Sequence, residues 1–172
     1  MNYIKINQEA IKQMIKGNKW GHTIPGYWEG EFLVITLDGY CAFVLPKDNV
    51  RFDTSAVKSG SDKGFLPELS TFVVPGNEIK MTKTLVESGF RSKKLLRRFK
   101  GIAGQVKWKT YVDEAMLKPL KDERCVSFYQ IYKDGAEMER QPILATAANG
   151  TPLMIFMPIR IVDESEFVTI VT

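Results

Sequence analysis

Apolar and polar positions change their spacing several times along the chain, and each change marks an expected element. Tyr3-Ile4-Lys5-Ile6 alternates with the period of a short strand. Ala10, Ile11, Met14 and Ile15 then recur as one helical face, with Lys12, Lys16 and nearby Lys19 off that stripe. Asn7 is placed to cap this helix, Glu9 falls in its first turn, and Gly17 would end it. After the turn-rich NKWGHTIPG, the runs Glu31–Leu37 and Tyr40–Leu45 predict two strands joined at Asp38-Gly39, a dipeptide suited to a tight hairpin. From Pro46 to about Gly76 no period holds, and VKSGSDKG reads as a loop. Phe72-Val73-Val74 and the alternating Ile79–Val86 read as strands around it. Ser92 is placed to cap a short basic helix, KKLLRRFK, with Leu95, Leu96 and Phe99 on one side and Lys93, Lys94, Arg97, Arg98 and Lys100 elsewhere. Gly101 or Gly104 would stop it.

From Val106 the opening pattern recurs. Val106-Lys107-Trp108-Lys109 is strand-like, and DEAMLKPLK repeats the layout of QEAIKQMIK 105 positions earlier, so that Glu9 meets Glu114, Ala10 meets Ala115 and Lys16 meets Lys121. Pro119 would keep this second helix short or kinked. Val126–Tyr132 then runs into Asp134-Gly135, and a last hairpin joins Pro142–Ala147 to Pro152–Ile161 through Asn149-Gly150. Each half reads as strand, helix and a meander of antiparallel strands. The expected fold class is α+β, a single domain over 1–172: half one about 1–79, a basic connecting segment about 80–105, half two about 106–161, and an extra C-terminal strand in 162–172.

Charge adds a direction to this plan. The 172 residues carry 24 Lys and Arg against 20 Asp and Glu, a net charge of +4. The excess is uneven: residues 1–79 are net −1, residues 122–172 net −4, and residues 80–121 net +9, with Glu87, Asp113 and Glu114 opposing 12 basic groups. Such a concentration is expected of a surface that meets a polyanion.

Composition also removes chemistry. The single histidine, His22, sits in a Gly- and Pro-rich loop, so no histidine cluster is available for a metal. No GxGxxG or GxxxxGK[ST] occurs, so no nucleotide cradle is announced. Glu29/Glu31 and Glu137/Glu139 read as pairs on solvated strand faces. Cys41 and Cys125 lie in apolar runs without CxxC spacing and read as buried thiols. No enzyme activity, catalytic residue, metal or other cofactor is expected. No apolar stretch approaches the ~20 residues of a membrane span, and the opening MNYIKINQEAIKQ turns polar too soon for a signal peptide, which makes a cytoplasmic protein with no membrane partner the expectation.

The stretch VKWKTYVDEAMLKPLKDERCVSFYQIYKDG with PILATAANGTPLMIFMPIRI, residues 106–161, resembles the last half-domain of the bacterial DNA polymerase sliding clamp, down to the Met157-Pro158-Ile159-Arg160-Ile161 ending. Val34-Ile35-Thr36-Leu37-Asp38-Gly39-Tyr40 resembles the clamp's strand and turn in which Thr-Asp-Gly precedes an aromatic ring, although here Leu37 interrupts that tripeptide. The resemblance implies two copies of a helix-and-sheet unit, helices facing duplex DNA, and no active site. It implies a peptide-binding pocket from Thr36, Gly39, Tyr40, Met157, Pro158, Ile159 and Arg160, and a polymerase or other replication protein as the peptide's source. A clamp subunit has three such domains and this chain has length for one, so a ring would require a homo-oligomer. On that plan the phosphate contacts fall to Lys12, Lys16, Lys19, Lys118 and Lys121, with Lys93, Lys94, Arg97 and Arg98 on the separate basic helix. The expected function is a DNA-contacting replication or phage-type accessory factor. The second reading is a protein-interaction or regulatory module of the same fold without DNA binding.

Overall fold

The structure, a computed structural model, describes residues 6–12, 26–35, 41–55, 69–72, 78–89, 95–121, 125–159 and 167–170. Residues 6–12 form helix α1, and the chain continues through β1 (Gly26–Glu29), β2 (Phe32–Ile35), β3 (Cys41–Pro46), β4 (Glu78–Lys80), β5 (Thr82–Gly89), β6 (Leu95–Ala103), β7 (Val106–Asp113), β8 (Ser127–Ile131), β9 (Ile143–Thr146), β10 (Pro152–Phe156) and β11 (Phe167–Ile170). These strands make two antiparallel sheets, ordered β1-β2-β3-β10-β9-β8-β4 and β11-β5-β6-β7. The fold is α+β and rich in sheet.

The larger sheet has a regular plan. The meander β1-β2-β3 and the meander β8-β9-β10 meet at their last strands, where Phe43, Ala42 and Cys41 pair with Met154, Ile155 and Phe156. Its central strands are apolar without alternation because both faces are covered. Leu33, Ile35, Phe43, Leu45, Ile143 and Phe156 face the core between the sheets, while Val34, Ala42, Val44, Leu144 and Ile155 pack with Leu69 on the far face. A register shift between Pro152 and Met154 puts Leu153 and Met154 both in the inter-sheet core. Glu29 ties down the covering segment: its carboxylate accepts the N–H groups of Leu69 (2.6 Å) and Ser70 (3.0 Å), so it is a structural acceptor rather than a solvated surface charge.

The smaller sheet closes the core from the other side. Phe99 on β6 meets Phe128 on β8 at 4.9 Å between ring centroids. The chain passes between the sheets at buried Met81, whose N–H donates to the Phe128 carbonyl. The expected strand Ile79–Val86 is therefore two strands in different sheets.

Other expectations are also revised. Asn7 lies within α1 and is buried, with its side chain donating to the Asn49 carbonyl (2.7 Å) and accepting from Arg51 N–H (3.1 Å); it staples α1 to the segment after β3 instead of capping the helix. The second helix is a 3-10 helix over Glu114–Leu120, begun by Asp113, whose side chain accepts the Ala115 N–H, and containing buried Pro119. Phe72 ends a 3-10 helix, Leu69–Phe72. Cys125 is exposed in a turn with φ of 62°, and Cys41 is half-buried at the start of β3, so neither is a fully buried thiol. Glu137 and Glu139 flank and occupy the 3-10 helix Met138–Arg140, with Glu137 paired to Arg140 at 2.8 Å. Tyr3-Ile4-Lys5, the Asp38-Gly39 turn, VKSGSDKG and His22 lie outside the described residues.

A buried amide joins the sheets. Gln130 on β8 is 0% exposed; its Oε1 accepts the Trp108 indole N–H from β7 (2.8 Å), and its Nε2 donates to the carbonyls of Met138 (3.1 Å) and Gln141 (2.8 Å). Replacing it with leucine orphans a buried donor and two carbonyls. Gln130→Leu should lower unfolding stability by about 3 kcal/mol, read as a lower urea midpoint at unchanged slope; an unchanged midpoint would refute the role given to this amide.

Candidate nucleic-acid interface

The basic segment 80–121 is mostly strand among its described residues, and from Leu95 onward the expected helix KKLLRRFK belongs to β6. Its centre is the hairpin β6–β7, turned by Gly104-Gln105, with Gly104 at φ of 61° where a two-residue turn calls for glycine. Leu96 and Phe99, three residues apart, suit one side of a helix but fall on opposite faces of a strand. The pairing of β6 with β5 and β7 decides for the strand, a case of tertiary contacts overriding local preference.

Strand alternation sorts the hairpin's side chains. Phe99, Trp108 and Val112 face the inter-sheet core, with Gly101 and Thr110 on the same side. Arg98, Lys100, Ile102, Lys107, Lys109 and Tyr111 occupy the opposite face. On that face Lys100 stands directly opposite Lys109, Ile102 opposite Lys107 and Arg98 opposite Tyr111. The three lysines are exposed, Arg98 is half-buried, and the face closes toward buried Leu96 and Tyr111. Like charges placed opposite each other on a sheet are unfavourable to folding. Lysines on β7 are explained in part as guards of an edge strand, but β6 is interior to its sheet, so edge protection does not account for Lys100 or Arg98.

Other expected contact residues fall elsewhere. Arg97 sits on the core-side row and forms a two-pronged ion pair with Glu114, Nε–Oε2 at 2.8 Å and a second guanidinium nitrogen to Oε1 at 2.7 Å. Lys12 is exposed and paired with Glu9 at 2.7 Å. Lys118 and Lys121 are exposed on and just after the 3-10 helix. Lys121 and Lys80 border a cavity of about 750 Å³ that Met81, Leu117, Leu120 and Phe128 line. Lys16, Lys19, Lys93 and Lys94 lie outside the described residues. Alternation in VKWKTYV and in RFKGI was the available signal for Lys100, Lys107 and Lys109, which the expected contact set omitted.

Of the expected peptide pocket, Met157, Pro158 and Ile159 are half-buried, and the Ile159 N–H donates to the Tyr111 carbonyl (2.8 Å), carrying the chain from β10 across to β7. Phe156 pairs with Cys41, so this ending adjoins the start of β3. Thr36, Gly39, Tyr40 and Arg160 lie outside the described residues. The cavity near Lys121 is lined by a different set of side chains. Among the described residues no group of three or more His, Cys, Asp or Glu is placed to hold a metal ion, and no helix is long and apolar enough to cross a membrane.

Compared with known proteins, the chain matches no family model, no curated protein and no solved structure.

The basic face depends on one close approach. Gly101 is the cross-strand partner of Trp108, and a Cβ at Gly101 would collide with the indole ring that Gln130 holds. Gly101→Ala should destabilise the protein by about 2 kcal/mol through overpacking, seen as a lower thermal midpoint; a midpoint at or above that of the parent would contradict this contact.

Proposed function

We propose that this protein is a non-enzymatic, clamp-like accessory factor that contacts the backbone of duplex DNA electrostatically, and that the outer face of β6–β7 is its contact surface. The observation that carries the reading is the cluster Lys100, Lys107 and Lys109, beside Arg98, on an exposed sheet face where two lysines oppose each other. Like charges opposed on a sheet repel, and a polyanion relieves that repulsion and releases condensed counterions. The clamp-like part of the reading has separate support. Two three-stranded meanders meet at β3 and β10, and each follows a helical segment in the chain: α1 before β1, and the 3-10 helix before β8.

The sheet face takes over the role that the resemblance assigns to helices. Lys12 and Arg97 are occupied by carboxylates, and Arg97 belongs to the core-side row. Flat presentation of lysine ammonium groups suits phosphates, which need charge more than geometry, so binding should be independent of base sequence.

Fluorescence anisotropy on a labelled duplex should show log K falling with log salt at a slope of about −3, one phosphate per exposed lysine. The double variant Lys100→Gln/Lys109→Gln should reduce that slope by about 2 while folding normally. An unchanged slope would remove this face from the contact, and absence of binding by the parent protein at low salt would overturn the DNA reading.

A further inference from the structure

We infer that the tip of the β6–β7 hairpin enters a groove of the bound duplex and presses Ile102 against the base pairs, a mode of contact that rests on the DNA reading and goes beyond backbone charge. Four large apolar side chains are exposed among the described residues, and two of them, Ile102 (58%) and Val106 (49%), flank the turn of this one hairpin. Val106 belongs to the row that faces the core farther down the strand, where Trp108 and Thr110 are buried. Its exposure, beside a partner Ala103 that is only partly buried against the core, leaves apolar surface bare on both faces of the tip.

The surroundings of these groups select the partner. Ile102 lies on the lysine face, two residues from Lys100 and directly across from Lys107. The strands of the hairpin carry Arg97, Arg98, Lys100, Lys107 and Lys109 against Asp113 alone. A two-stranded ribbon is narrow enough for the major groove, and apolar side chains that unstack a base step recur where basic ribbons enter the minor groove. An anionic membrane would also attract lysines beside apolar groups. At this tip, however, the apex is the exposed pair Gly104-Gln105, and the apolar side chains stand one step back on opposite faces. That arrangement suits flanking contacts inside a groove better than insertion of an apolar apex into lipid.

The test uses the full chain and a duplex carrying 2-aminopurine, whose fluorescence rises when its stacking is disturbed, with binding followed in parallel by anisotropy. The variant is Ile102→Thr/Val106→Thr, which keeps β-branched side chains at exposed positions and should unfold at the parent's temperature. The parent should raise the 2-aminopurine signal on binding. The variant should bind roughly fivefold more weakly, with the same salt slope and no rise in signal. Binding by the parent without any 2-aminopurine change, or a variant equal to the parent in both readouts, would overturn the groove contact while leaving the DNA reading intact. Absence of parent binding would remove both. Loss of binding to phosphatidylserine vesicles in the variant, with duplex binding unaffected, would assign the tip to a membrane surface and overturn the inference.

Discussion

The hydrogen bond from the Trp108 indole to Gln130 is the constraint on which the arrangement of the two sheets depends. A buried amide is costly unless each of its groups is satisfied, and here one side chain draws together β7, β8 and the segment Met138–Gln141. The apolar packing between the sheets is non-directional: Phe99, Phe128, Phe156 and their aliphatic neighbours would by themselves tolerate a sliding of one sheet over the other. The amide does not tolerate it. By fixing the indole, it also fixes which residues of β7 point inward, and therefore which point out.

The outward set follows from that register. With Trp108 locked on the core side, Lys107 and Lys109 must face away, and pairing with β6 brings Lys100 and Arg98 onto the same surface. The absence of a side chain at Gly101 lets the strands keep this pairing over the indole. Anchoring of the adjacent β10 ending through the Ile159 to Tyr111 backbone bond holds the far end of β7 in place. A rigid core face and a cationic outer face are thus two sides of one hairpin, and the charge concentrated in residues 80–121 acquires a definite geometry.

Much of the strand framework was legible in the sequence. The Asn149-Gly150 hairpin joins β9 to β10 with Gly150 at φ of 82°, and VKWK opens β7. Asp134-Gly135 does turn the chain after β8, but into the 3-10 helix Met138–Arg140, because Gln130 binds the carbonyls of Met138 and Gln141 and diverts the chain before β9 begins. KKLLRRFK was not legible as it stands: the spacing of Leu96 and Phe99 fits one face of a helix and puts them on opposite faces of a strand, and pairing with partners distant in sequence overrides that local pattern. The exposed turn at Cys125 was hidden for a related reason, since an apolar neighbour such as Val126 says nothing of a left-handed backbone at the residue before it. The candidate interface shared this fate. Counting found the basic segment, but not that Lys100, Lys107 and Lys109 share one face of a hairpin, which depends on the pairing of β6 with β7.

The central claim is that the cationic face of one hairpin, and not the helical segments, meets the duplex. Lysine acetylation footprinting, read by mass spectrometry with and without duplex at low and high salt, tests it position by position. The account predicts that duplex at low salt protects Lys100, Lys107 and Lys109, that high salt abolishes this protection, and that Lys12 and Lys118 react equally throughout. Protection of Lys12 and Lys118 with the hairpin lysines unchanged would contradict it.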